Sequence, residues 1–425
     1  MNYTLNSRVD IEIGLSRPVS RREMLPRICV VGIVPMNAPI IAEQSPYSLI
    51  RKSDYSPDFP YIEQVRLSSV QQTVLLPGIG NRWPSRLRDC LNTALAIGCP
   101  EVDFILARAP GVLPWSFTEQ SVKELLLPYL NEVPGAILVF PDAGGPWPRR
   151  HIQASHSIKS PNIFERQKAL KGMLQGFAPS FSENYQVALV DVVPISTEQN
   201  RFEAYLASLL GVDAALCSWA GPEAEMTQHA WRSAAMCKAA YLSKRVDVVT
   251  QSVIGHRIPL GKGRKVVRDR STLFGAPLGL PVSPALAENC VVLQLEDGGR
   301  SAQVLSEVTL RRPKFEWTIP AIRTVKGIHQ AIRQAADMFV FRAVGDVEAF
   351  ALEQSIQIVL APFFDRGILV GPDGQGQPVV SGSAIKDPSA PMLAVDLSAQ
   401  IRPWFQSVNL KVMVRNGEQP EVVQG

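Results

Sequence analysis

The sequence predicts an α/β protein: a three-layer α/β body with a largely parallel sheet, a C-terminal α+β domain, and at each chain end a β strand that either completes the chain's own sheet or extends as an arm. Three observations lead there. Between Ile28 and Val246, apolar strand-like runs alternate with helical segments of about 10–20 residues, the pattern of a parallel sheet covered by helices. Beyond Val246 the order changes to strands, then two helices, then strands again. Each end also carries a stretch of period two, Val9–Leu15 and Val408–Val414. The implied divisions are an N-terminal arm at 1–25, a body at 26–305, a C-terminal domain at 306–407 and a C-terminal arm at 408–425.

In chain order, Val9, Ile11, Ile13 and Leu15 alternate with polar or small residues as a half-apolar strand, which Pro18 and the charged SRREMLPR separate from the body. ICVVGIV, residues 28–34, reads as a strand buried on both faces. The chain is loop-like from Pro35 to Tyr61. Leu87, Cys90, Leu91 and Leu95 then fall at helical spacing, and Gly98 can end that helix. EVDFILARA, GAILVF, YQVALVDVV and DAALCSW predict strands. TEQSVKELLLPYL, IFERQKALKGMLQGF, TEQNRFEAYLASLL and EAEMTQHAWRSAAMCKAAYLSK predict helices. VDVVTQSVIG, CVVLQLEDGG and SAQVLSEVTL predict strands of the changed region. A helix over about 320–340 puts Val325, Ile328, Ile332, Ala335 and Phe339 on one stripe, with Lys326, Gln330, Arg333 and Asp337 opposite. A more apolar helix comes next over about 346–364, then GILVG, a Gly-rich loop and PMLAVDLSAQI. At the end, Val408, Leu410, Val412 and Val414 alternate with Asn409, Lys411, Met413 and Arg415.

A chain of 425 residues with 46% hydrophobic residues can build two or three cored domains. Its net charge of +4 is small, and its basic residues form no stripe interleaved with aromatics, which argues against a nucleic-acid partner. The six cysteines show no Cys-x-x-Cys spacing and several lie in apolar runs, as buried free thiols of a reducing compartment do. The N-terminus has no apolar core for a signal peptide, and no uninterrupted apolar run approaches about 20 residues. The expectation is a cytoplasmic protein without membrane insertion.

Motifs for chemistry are weak. GHRIPLGKGRK resembles a phosphate-binding loop, but five residues separate Gly255 from Gly261 and Gly263 stands where the hydroxyl residue belongs. An enzyme binding a phosphorylated ligand near residues 255–265 is the alternative function; a basic surface loop explains the same residues. The five histidines have no acidic companions at ligand spacing, so neither a metal nor another cofactor is expected. Gly-x-Ser-x-Gly is absent, and SGS at 381–383 reads as a turn. Asp191, at the carboxyl end of a strand, sits where α/β enzymes often place catalytic groups, but it serves equally as a cap. No catalytic residue is assigned.

Four stretches together resemble the contractile tail sheath family of phages, R-type bacteriocins and injection systems. They are RLRDCLNTALAIGCPEVDFILARA, YQVALVDVVPISTEQNRFEAYLASLLGVDAALCSWAGPEAE, the region from IPAIRTVKGIHQAIRQAADMFVF to DRGILVG, and the ending VNLKVMVRNG. The resemblance implies a structural subunit that polymerises helically around an inner tube and contracts to drive that tube through a target envelope. Its partners would be copies of itself, the inner tube protein, and the baseplate and tail-terminating proteins, with assembly in the bacterial cytoplasm.

The resemblance also implies that both terminal strands leave their own subunit and add to a neighbour's sheet, through Val9, Ile11, Ile13, Leu15, Val408, Leu410, Val412 and Val414. On the residues alone, strands that complete the chain's own sheet are equally consistent. If the C-terminal strand is donated, removing residues 408–425 is expected to leave a folded body. The inner tube would face the C-terminal domain, where Lys326 and Arg333 share a helical face with Arg323 nearby; a merely solvated face is the other reading.

Overall fold

The computed structural model describes residues 27–36, 60–78, 85–144, 163–184, 186–192, 204–205, 207–209, 211–220, 233–244, 253–260, 289–296, 300–311, 318–387, 391–401, 406–415 and 417–424. The predicted strand at Val9–Leu15 lies outside these residues, as do much of the predicted helix over 197–210 and the first part of that over 223–244.

Nine strands form the larger sheet: β1 (Ile28–Val34), β2 (Tyr61–Leu67), β3 (Val102–Arg108), β4 (Ile137–Val139), β5 (Val187–Asp191), β6 (Ala214–Ala220), β7 (Arg257–Pro259), β8 (Val291–Glu296) and β9 (Ser301–Glu307). Their order across the sheet is β2-β3-β1-β4-β5-β6-β8-β9-β7. The six central strands, β3 through β8, run parallel. β2 at one edge, and β9 with β7 at the other, are antiparallel, so the sheet is mixed. β1 shows why an unbroken apolar run marks a central strand: all seven of its residues are buried, alternately against one core and the other.

Helices supply both cores. On one face, α1 (Leu87–Ile97) and α4 (Ala234–Ser243) pack with Val30, Phe104, Leu189 and Trp219. On the other, α2 (Gln120–Asn131) and α3 (Ile163–Glu183) pack with Val31, Ile105, Leu138 and Val190 around a cluster of Phe117, Phe140, Phe177 and Phe181. Gly98 closes α1 at φ 91°, a left-handed conformation that carries no Cβ penalty in glycine.

The C-terminal region is a second, five-stranded sheet under two helices. α5 (Ile319–Asp337) and α6 (Asp346–Asp365) precede β10 (Leu369–Val370), β11 (Val379–Ile385), β12 (Met392–Ile401), β13 (Gln406–Arg415) and β14 (Glu421–Gln424). β12 is central: β10 and β11 pair with one side of it and β13 with the other, with β14 beyond β13, all antiparallel. Ile328, Ile332, Leu352, Ile356, Leu393, Val395, Leu397, Leu410, Val412 and Val414 form its core.

Two expectations are corrected here. Val408, Leu410, Val412 and Val414 are not in an arm that leaves the body. Their strand pairs with β12 over ten positions of the same chain and with β14 on its other side. Leu410, Val412 and Val414 are buried under the helices. The period of two is real, but its apolar side faces this chain's own core, so 408–425 belongs to the C-terminal sheet. Ser381–Ser383, read as a turn, lies in the middle of β11, because the residues alternate between α6 and the open face.

Candidate functional site

α5 lies between the two cores. Ile319 and Ile322, at its start, join the core of the larger sheet, whereas Ile328, Ile332, Ala335 and Ala336 join that of the smaller one. Because of this position, the side opposite the apolar stripe meets protein at Lys326. Lys326 is 6% exposed and Arg323 8%. The Lys326 ammonium lies 2.8 Å from Asp213 Oδ2 and 2.7 Å from the Phe181 carbonyl oxygen, and it also donates to the Gln186 carbonyl. Burial draws its pKa down to about 8. Arg323 is drawn down to about 10 by burial, near Glu307. Lys326 ties the C-terminal helix to the body and Arg323 is buried near Glu307, which corrects their assignment to a tube-facing surface. Arg333 is half-buried and donates to Gln419 in the turn before β14.

A second set of charges sits at the carboxyl ends of β4 and β5, where sheets of this topology commonly bind ligands. Asp142 accepts from the Ser85 hydroxyl and the Arg86 amide, each at 2.8 Å, and burial pushes its carboxyl up to about 6. Asp191 accepts from the Ala235 amide at 2.9 Å, at the start of α4, and pairs with Arg86 Nη1 at 3.4 Å. Arg166 donates to the Gly144 carbonyl at 2.7 Å, and its pKa is drawn down to about 9, first by burial and then by Arg86. The Arg86 side chain, 2% exposed, pairs with Asp191, and its charge also lowers the pKa of Asp142 against the rise from burial. These groups fasten helix starts to strand ends, and Asp191 acts as a cap. Lys238 and Glu307, both fully buried, form a further ion pair, in which Glu307 also accepts from the Val253 amide at 2.9 Å. Of the basic loop, Arg257–Pro259 forms edge strand β7 and residues 261–265 lie outside the described residues.

The surface features fall on the C-terminal domain. α6 is the one described helix long and apolar enough to cross a membrane by length and composition, yet its buried side packs on α5 and the smaller sheet. Its outer side exposes Val347, Phe350 and Ile358, and the turn before it exposes Met338 and Phe341, the latter 85%. β11 pairs with β12 on one side only, and no described strand lies along its other edge. β14 likewise has a single described strand neighbour. An unpaired strand edge presents amides and carbonyls that readily take up another chain's backbone. No sequence motif marked this site; the weak signal was the alternation of VVSGSAI, hidden by its small residues.

No family model and no curated protein matches the sequence. Solved structures do resemble this one. The helical sheath of the anti-feeding prophage in its contracted state superposes with a TM-score of 0.50 at 13% identity, over 94% of this chain and 92% of that one. A chain of the anti-feeding prophage baseplate gives 0.48 at 13% identity, over 84% and 85%. The contracted PVC sheath complex of an extracellular contractile injection system gives 0.46 at 12% identity, over 87% and 86%. Across nearly its whole length, this chain has the fold of a contractile tail sheath protein.

Proposed function

We propose that this chain is the structural subunit of a contractile sheath, which polymerises helically around an inner tube and shortens to drive the tube through a target envelope. The observation that supports this reading most is the fold shared with the contracted anti-feeding prophage sheath over 94% of the chain. Its assembly would rest on the amphipathic segment Val9–Leu15, donated to the C-terminal sheet of another copy. Donor and acceptor are then different surfaces, a heterologous contact that propagates into a tube instead of closing as a dimer. The tether lets bodies rotate and slide without separating. The inner tube protein would meet the C-terminal domain through solvated, easily exchanged contacts in which Arg333 is the remaining candidate. Baseplate and tail-terminating proteins would bind the two ends of the tube.

Electron microscopy of the purified chain tests this. Hollow tubes of regular diameter are the expected result. A discrete small oligomer at all concentrations and salts would count against the reading.

A further inference from the structure

The open edge of β11 is held by a side chain of α6. Gly382, at the middle of β11, stands opposite Val395 of β12, yet its amide donates to Glu353 Oε2 at 2.9 Å. In an antiparallel ladder each residue directs its N–H and C=O to the same side, and successive residues alternate. Gly382 therefore turns its backbone polar groups away from β12, and so do Val380 and Ala384. These are the groups that a guest strand would use. α6 runs so close that a Cβ on residue 382 would stand 2.6 Å from the Ala349 carbonyl oxygen, which requires glycine here. Past the end of β11, Lys386 pairs with Asp346 of α6 at 2.7 Å.

We propose that Glu353 guards this edge: its carboxylate occupies the central amide until a carbonyl of an incoming strand displaces it. The inference rests on the strand-donation reading of the proposed function, and its occupant is Val9–Leu15 of a second copy of this chain. Two features favour that occupant. The twelve residues 16–27 that tether it can reach about 40 Å from the start of β1. The alternation of Val9, Ile11, Ile13 and Leu15 also gives the segment one apolar side. Phe350, 61% exposed, precedes Glu353 by one helical turn, and that apolar side would cover it. A guard makes addition reversible and sets a threshold concentration for assembly, because each guest must exchange a charge-assisted hydrogen bond for a neutral one.

The test uses the full chain, with Glu353→Ala and Glu353→Gln variants. Two quantities are measured: the concentration at which tubes sediment, and the affinity for a labelled peptide of residues 5–19. Removing the guard is expected to lower the tube threshold and the peptide Kd roughly tenfold, with Glu353→Gln in between. Thermal melts separate this from misfolding. A brace and a guard differ in sign. Unchanged or weaker peptide binding by a Glu353→Ala chain that melts like wild type would overturn the guard and leave strand donation standing. Failure of wild type and variants alike to bind the peptide or form tubes would overturn both.

Discussion

A chain ending at Ser407 is expected to lose its C-terminal domain. Removal of residues 408–425 takes most of β13 and all of β14, and with them Leu410, Val412 and Val414, each at most 2% exposed. At about 1.5–3 kcal/mol per buried aliphatic side chain, these three alone approach the whole stability of an ordinary domain. β12 would lose its ladder along one side, and α5 and α6 would lose much of the apolar surface beneath them. Limited proteolysis checks this. The truncated chain should be cut rapidly between Asp346 and Ile401, whereas the full chain should resist. A last strand that is a donated arm predicts the opposite, equal resistance for both chains.

Glu307→Ala is expected to be the most destabilising single substitution in the body. Lys238 and Glu307 are at most 1% exposed, and Lys238 has its pKa lowered, chiefly by burial, even with Glu307 beside it. Without the carboxylate, an ammonium is left in an apolar helix layer and the Val253 amide loses its acceptor. Breaking a buried pair in this way costs about 3–5 kcal/mol. A Lys238→Met, Glu307→Leu double variant, which removes both charges and keeps volume, should recover most of that loss. Urea denaturation of the three chains measures both effects. A Glu307→Ala chain within about 1 kcal/mol of wild type would show that the pair does not seal this layer.

The body was legible because its signal is strong. Runs such as ICVVGIV and YQVALVD are buried on both faces, and such strands can be neither surface loops nor amphipathic helices. β2 was missed because it carries Glu63, Gln64 and Arg66 within seven residues. Glu63 is buried only because Arg108 of β3 meets it at 2.8 Å, a partner 45 positions away. The burial of Lys238 has a local signal: in AAMCKAAYLS every neighbour is apolar or small, and a helix of that composition is buried all round. Lys326 had none. The face of α5 that carries it looks like a solvated face until the larger sheet is placed against it, and no periodicity contains that information. The C-terminal strand shows the same limit. Its alternation fixed which side is apolar but not whose core that side enters, and the ten-position ladder with β12 decides it.

A chain lacking residues 1–20 is the sharpest probe of the proposal that copies of this chain assemble by donating their N-terminal segment. Sedimentation velocity and microscopy are compared with the full chain under the same conditions. The full chain is expected to form tubes, and the shortened chain to remain a folded monomer, resistant to protease, at every concentration. Tubes of the same diameter and threshold from both chains would contradict it.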